Sequence, residues 1–592
     1  MKTAHEIIHN PFYNKGTAFT AKERTQFKLH GLVPPGEQSL EEQVAEVFEA
    51  LQQAQTDWEK RYILMDIYHH NRILFYKLYR SHMTECMALL YDLGDNGAKT
   101  NSISSHDRLP LDTVYLSMDD GDCMQEVLQA AGQGQAIKLF IVTDSEDICH
   151  RGDLGIYGAA NSHRTALLYS AAAGIAPRQI VSIVLDVGNN RTSLLESEFY
   201  IGAKHKRVTG KAYYEFMERF LDTVTSIYPD AYVHFESFRR HTMDTMLKTY
   251  KDRYALFSAD LEGTSGAVLA AILGALRMSK QVLYNQIYMS YGAGTAGTTM
   301  ANRVLQELMD QGLSRDEALA HCYLVDKQGL LFDDMEDLTP EQRPFARKRS
   351  EFVNSRELVS LEACVKAIRP TILIGTSYAS EAFTESIIKT MASYVERPII
   401  CPMSYPVEFV EARAADLIRW TDGRALVATN IKEAPVTYKG QVYEIGQACG
   451  ALLFPGILLG SLAVKARHIT AGMLNKAAHV LSEFVDVSKP GASIIPSVGA
   501  LYELSQAIAL AVGLQALHDG VGRDTSNVVD DSIELKDSIK SAIDQITWLP
   551  AYEELSEAIY TNELCQSKQS ISSTTKHRSR KVQKKKKGKK SK

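Results

Sequence analysis

Gly292, Gly294 and Gly297 stand at the G-x-G-x-x-G spacing that lets a backbone wrap the pyrophosphate of a dinucleotide. The first glycine permits a tight turn, the second lets the chain approach the phosphates, and the third lets the next helix pack closely on its strand. The N-terminus of that helix then faces the anion. The surroundings agree with this: Gln286 to Ser290 reads as a strand and Met300 to Met309 as an amphipathic helix. A glycine-rich turn without a ligand is the alternative. A second strand is expected at His321 to Asp326, ending on a carboxylate that can accept hydrogen bonds from an adenosine ribose. The gap from the glycines exceeds the usual ~20 residues. Asp326 also repels a 2′-phosphate, which favours NAD over NADP, although Lys327 beside it softens that preference.

The elements that must position such a site can be read from periodicity. Ser39-Leu-Glu-Glu42 is a capping box, with Val44, Val47, Phe48 and Leu51 following at helical spacing. Helical text continues from Asp57 through Arg80, so a helical N-terminal domain is expected. Asp92 to Leu111 is polar and rich in turn formers, and reads as a loop or boundary. Strand-like runs then alternate with helical ones: Ala136 to Val142, a helix around Ala166 to Ala173, Ile180 to Leu185, and Tyr232 to Phe235. Such alternation implies parallel strands with crossover helices. Beyond the glycines, strands are expected at Thr371 to Ile374, Pro398 to Cys401 and Ala425 to Ala428, with helices from Thr470 onward. The charged stretch Asp333 to Arg349 reads as a surface excursion. No internal repeat is found.

At 592 residues the chain exceeds a single hydrophobic core, and three or four units are expected at roughly 150 residues each. Apolar residues make up 45% and charged residues 23%, an ordinary globular balance. No uninterrupted apolar run reaches the ~18 residues of a membrane span, and Met1 to Ile7 lacks a signal-peptide core. A cytoplasmic setting is therefore expected. The eight cysteines never fall as C-x-x-C, which argues against a zinc site or disulfide framework and for free thiols. Ile571 to Lys592 holds eleven Lys or Arg and no acid, so the rest of the chain carries −17 against a total of −6. That tail is expected to be disordered, with nucleic-acid binding the disfavoured alternative, since no aromatic residue interleaves the lysines.

Several ordered segments resemble the malic enzyme family, closest to its bacterial malolactic enzymes, over roughly residues 1 to 550. They are Asn10-Pro-Phe-Tyr-Asn-Lys-Gly-Thr-Ala-Phe-Thr20, Leu32-Val-Pro-Pro35, Gly152-Asp-Leu-Gly155, Ala171 to Ile175, His205-Lys-Arg-Val208, Gly329 to Pro340, and Phe454-Pro-Gly456. The resemblance implies NAD- and Mn²⁺- or Mg²⁺-dependent decarboxylation of L-malate. In that chemistry a lysine takes the hydroxyl proton, NAD takes hydride, and a tyrosine protonates the enol. Malolactic enzymes then reduce the pyruvate to lactate. By resemblance Tyr91 is the tyrosine acid, and Glu236 and Asp260 are two of three metal carboxylates.

Other matched positions have changed. Ser237 replaces the third carboxylate, Ala259 a neighbouring aspartate, and Thr165 the lysine base. Glu262 is a candidate to supply an oxygen, and His163 a candidate base on intrinsic pKa. Asp147 stands where malic enzymes carry a carboxylate-binding arginine, a residue malolactic enzymes already lack. Tyr405 and the Gly446 to Gly450 stretch, including Cys449, have lost amides that orient malate and nicotinamide.

The expected fold class is α/β. It comprises a helical N-terminal domain (1–110), an α/β substrate domain with parallel strands (111–263), a Rossmann NAD domain (264–500), a helical C-terminal region (501–565) and the basic tail (566–592). The reading is an NAD- and metal-dependent malate-decarboxylating oxidoreductase, giving pyruvate or lactate, assembled as a homodimer or homotetramer. The alternatives are a catalytically degraded member that binds a nucleotide and acts through partner contacts, and a member with a changed hydroxy-acid substrate.

Overall fold

Capping boxes set the start of the first helices, each with a Ser or Thr hydroxyl meeting the third backbone N–H and a Glu returning the bond. In the computed structural model, which describes residues 3–91, 109–110, 112–148, 152–523 and 533–555, the expected box at Ser39 is formed. Ser39 Oγ accepts from Glu42 N at 3.2 Å, and the Glu42 carboxylate accepts from Ser39 N at 2.7 Å. The expected boundary at 92–111 lies almost wholly outside the described residues, as does the basic tail.

Two compact units divide the chain. One takes the residues up to Leu90, Gln125–Ala136 and the segment beginning at Leu549; the other takes Tyr91–Met124 and Ile137–Trp548. The first unit is helical, with Leu40–Gln53, Asp57–His70, Arg72–Ser81 and Met83–Leu90 as its main elements. The long helix expected from Asp57 to Arg80 is broken at Asn71, whose extended backbone ends one helix while its side chain caps the next at Leu74 N, 3.0 Å away. A buried Lys15–Glu23 pair at 2.6 Å also bonds the carbonyl of Glu553 and the N–H of Leu555, tying that segment to the early helices.

The second unit holds two parallel sheets. The first runs in the order β1 (Thr113–Ser117), β3 (Ile180–Asp186), β2 (Leu139–Thr143), β4 (Tyr232–Phe235), β5 (Leu256–Ser258), parallel throughout. The second contains β6 (Tyr288–Tyr291), β7 (Cys322–Asp326), β8 (Gly329–Leu330), β9 (Ile372–Gly375), β10 (Ile399–Pro402), β11 (Leu426–Thr429) and β14 (Gly446–Gln447). Its order is β14-β11-β10-β9-β6-β7-β8, with only β8 antiparallel. A hairpin of β12 (Val436–Tyr438) and β13 (Gln441–Tyr443) stands apart. The central strands β2, β9 and β10 are buried along their whole length, as parallel strands covered on both faces must be.

The helix expected around Ala166 to Ala173 is instead an α-helix, Ala159–Leu168, running into a π-turn, Tyr169–Ala173, and closed by Gly174 at φ +72°. The excursion at 333–349 is not wholly superficial, since Leu338, Gln342 and Phe345 are buried in it. Two helical runs, Ala259–Ser279 and Val498–His518, have the length and mean hydropathy (1.3 each) of a membrane span, with 83% and 44% of the apolar window buried inside the protein. The expectation of no such segment rested on uninterrupted apolar runs, whereas hydropathy averages over the small residues between them. The first is a core helix: every residue from Ser265 to Leu276 is buried.

Candidate active site

Ligands of open parallel sheets bind beyond the carboxyl ends of the strands, where the strand order reverses. In the first sheet β2 lies between β3 and β4, so the chain switches sides at the C-terminal ends of β2 and β4. In the second sheet the switch falls between β6 and β9. Asp147 follows β2, Glu236 and Ser237 follow β4, Asp260 follows β5, and Thr376 follows β9; all five line one cavity of about 190 Å³.

The carboxylates there are held by a short turn. Ser237 has a positive φ of +59°, which turns its backbone N–H onto Asp260 Oδ2 at 2.8 Å. Its carbonyl accepts from Asp147 N at 3.2 Å, and its hydroxyl accepts from the Asn161 amide at 2.8 Å. Glu236 is buried, and its Oε2 has no hydrogen-bond partner. Burial pushes this carboxyl up to about 8; the charge of Asp260 adds to the rise, while Thr165, Asn161 and Arg164 oppose it. Behind them His234 shares a 2.7 Å hydrogen bond with Tyr169, and burial lowers it to about 3, keeping it neutral.

An orphaned buried carboxylate oxygen beside a second carboxylate suits a hard divalent cation, whose remaining ligands come from water or substrate. Among the described residues no group of three His, Cys, Asp or Glu side chains gathers to hold a metal. The site therefore offers two protein carboxylates. Glu262, the candidate third oxygen, turns away: its Oε2 accepts from Ser258 N at 3.0 Å, and it does not line the cavity.

The glycine segment has the expected geometry. Gly292 follows β6 at φ +104°, and a Cβ there meets the Thr376 backbone at 2.5 Å. At Gly297 a Cβ meets the Gly292 carbonyl at 1.9 Å, so the helix Thr295–Asp310 can lie against the turn only without a side chain. Gly294 faces open space, as a backbone presented to phosphates requires. Thr376 Oγ1 donates to the Gly292 carbonyl at 2.9 Å, and Ala296, Met300 and Thr376 carry this segment onto the cavity wall. Asp326 ends β7 as expected. Buried Gln342, from the supposed surface excursion, donates both to Asp326 Oδ2 at 3.3 Å and to the Ala293 carbonyl at 2.9 Å. Sequence reading missed Gln342 because nothing local announces its burial.

Tyr91 also lines the cavity, its ring 6.5 Å from that of buried Phe454. Tyr91, Glu236 and Asp260 are thus brought together, with the glycine turn adjoining them through Ala296 and Thr376. Thr165 and His163 are buried on the helix Ala159–Leu168 and are not among the residues that line the cavity, although Thr165 acts on the cavity-lining Glu236. Tyr405 is also off the wall, where its neighbour Ser404 stands instead. The amides are not all lost: Asn161 and Asn430 line the cavity, as do Arg240 and Tyr378, none of which the sequence singled out as functional.

The chain matches two family profiles, "Malic enzyme, N-terminal domain" over residues 68–251 and "Malic enzyme, NAD binding domain" over residues 261–517. It is 43% identical to the malolactic enzyme of Lactiplantibacillus plantarum over 559 residues, spanning 94% of this chain and 100% of that protein. It is 37% identical to NAD-dependent malic enzyme 3 of Bacillus subtilis, spanning 93% of this chain and 96% of that one. Its fold is similar to that of a crystal structure of malic enzyme from Pyrococcus horikoshii, with a TM-score of 0.51 at 20% identity over 72% of this chain and 85% of that one. A nucleotide cradle and a carboxylate pair on one wall, with these matches over nearly the whole length, establish that the chain belongs to the malic enzyme family.

Proposed function

We propose that the protein is an NAD- and divalent-metal-dependent oxidoreductase that decarboxylates L-malate, releasing CO₂ with pyruvate or lactate. The observation that carries this reading is the cavity where Glu236, Asp260 and Tyr91 meet the glycine-loop helix. The near full-length likeness to malolactic and NAD-dependent malic enzymes supports the substrate, and gives the non-catalytic alternative no support.

In this reading Glu236 and Asp260 hold Mn²⁺ or Mg²⁺, which when bound polarises the keto oxygen and stabilises the enolate charge. The Gly292 turn and the Gly294 backbone take the NAD pyrophosphate, and Asp326, steadied by Gln342, accepts from the adenosine ribose. Asn161 and Asn430 supply amides to orient the acid. The lysine position is filled by Thr165, whose hydroxyl is not a base, so the hydroxyl proton passes to a wall carboxylate. Asp147 is the one set apart from the Glu236–Asp260 pair. Tyr91 Oη delivers a proton to the enol carbon after CO₂ leaves. The N-terminal helices, by resemblance, mediate assembly into two or four copies, and the six described free cysteines agree with a reducing, cytoplasmic setting.

The test is CO₂ release from L-malate by the purified protein with NAD and Mn²⁺. Release that depends on both supports the reading; release no greater than that of an enzyme-free blank refutes it.

A further inference from the structure

A second cavity, of about 440 Å³, borders the same two turns as the active cavity without sharing a lining residue with it. Glu146 comes from the turn after β2, one residue before Asp147, and Arg239 from the turn after β4, one residue before Arg240. The bond from Asp147 N to the Ser237 carbonyl ties the two turns together. Arg207, Tyr213, Tyr214 and His241 complete the part of the wall that carries polar or aromatic groups of use to a ligand.

Charge decides what such a cavity can hold. The Arg207 guanidinium is already engaged: Nε donates to Asp153 at 2.9 Å, one Nη to the Asp144 carboxylate at 3.1 Å, and the other to the Asp144 carbonyl at 2.8 Å. Two carboxylates thus outweigh Arg207, and the cavity is not a simple anion site. Glu146 and Arg239 are held more loosely. The Glu146 side chain is 14% exposed and that of Arg239 70%, and the two stand 3.8 Å apart, beyond hydrogen-bond length. Burial, and after it the charge of Asp144, pushes the Glu146 carboxyl up, against the opposing charges of Arg207 and Arg239. The wall therefore calls for N–H donors at Glu146 and for an acceptor at Arg239, with exposed His241 two residues further along the same rim. A lone anion is repelled by Glu146, and a lone cation by Arg239. A molecule carrying both charges meets both, because its ammonium on Glu146 and its carboxylate on Arg239 close a ring in which the signs alternate. An α-amino acid carries those two charges on a single carbon, a span that matches the short gap between Glu146 and Arg239. The remaining volume has room for a side chain beside Tyr214.

We propose that this cavity binds a free α-amino acid, with its carboxylate on Arg239 and its ammonium on Glu146, and that occupancy fixes the two shared turns and tightens hydroxy-acid binding in the neighbouring cavity. The coupling rests on reading that neighbour as the hydroxy-acid site; the amino-acid site does not.

The experiment is calorimetry on the full chain with NAD and Mn²⁺, using L-alanine, L-glutamine and L-phenylalanine as probes. Propionate, which keeps only the carboxylate, and ethylamine, which keeps only the ammonium, are the controls. At least one amino acid should bind with a Kd of about 1 mM or tighter, and both controls at least about tenfold more weakly. Arg239→Gln and Glu146→Gln should each weaken the amino acid about tenfold or more. The bound amino acid should lower the Kd of L-malate several-fold, and malate should tighten the amino acid by the same factor. Absence of amino-acid binding, controls that bind equally well, or variants with unchanged affinity overturn the site. An amino acid that binds and leaves malate affinity unmoved overturns the coupling. If malate binding responds to the amino acid but no CO₂ is released, this inference stands and the decarboxylation reading falls. If CO₂ is released and no amino acid binds, the reverse holds.

Discussion

Replacing Glu236 with Gln tests the metal half of the site through a proton. In the metal-free protein burial holds this carboxyl protonated up to about pH 8, against an ordinary value of 4.5. Between those values the folded protein keeps a proton that the unfolded chain has already released, so folding stability falls as pH rises through the window and levels off above it. Over the whole window the loss is on the order of 5 kcal/mol. A divalent cation must displace the same proton, so Mn²⁺ affinity should rise about tenfold per pH unit from 6 to 8 and then flatten. Glu236→Gln is nearly isosteric and cannot ionise. It should abolish the stability slope, raise the denaturation midpoint of the metal-free protein at pH 8, and weaken Mn²⁺ binding by about 100-fold or more. The assays are urea denaturation of the metal-free wild type and variant from pH 5 to 9, and Mn²⁺ titration by calorimetry over the same range. Mn²⁺ affinity that does not change between pH 6 and 8 in wild type, or is matched by the variant, refutes the reasoning.

Other perturbations probe the remaining parts. Thr165→Lys puts an amine where the family resemblance places the base; it should cost about 1–3 kcal/mol of stability, because the position is fully buried, yet raise kcat about 100-fold or more. Unchanged kcat in a folded variant would show that the missing lysine does not limit the rate. Gly294→Val, at the open point of the glycine turn, should weaken NAD binding at least tenfold with little change in thermal stability, whereas Gly297→Val should destabilise the fold because its Cβ runs into the Gly292 carbonyl. Fluorescence titration with NADH and a thermal melt separate the two. Asp326→Ala should narrow the preference for NAD over NADP about tenfold or more, read from the ratio of kcat/KM.

The central strands of both sheets were legible because buried parallel strands leave continuous apolar text: Tyr232–Phe235 falls where the pattern places it, and β3, β7, β9, β10 and β11 within a residue or two. The edge strands β1 and β5 were not read: β1 is buried only at Thr113 and Leu116 and so leaves no continuous apolar run, and β5 is three residues long with two apolar ones. The glycine spacing announced the cradle because each glycine answers a local steric demand, and those demands appear in the structure at Gly292 and Gly297. The cavity wall was less legible. Asn161, Arg240, Tyr378 and Asn430 come from four separate elements, and only the two switch points gather them. Local sequence likewise gave no sign that Glu262 turns back to its own backbone or that Thr165 and His163 are buried on their helix rather than lining the cavity.

The central claim, that one cavity brings a hydroxy acid to a nicotinamide and removes CO₂, is tested most directly with L-malate labelled with deuterium at C2, incubated with the protein, NAD and Mn²⁺. The account predicts that the deuterium leaves malate as CO₂ forms, and is found at C4 of the reduced nicotinamide or at C2 of lactate. Deuterium that remains entirely in malate contradicts it, as does CO₂ release without transfer of the label.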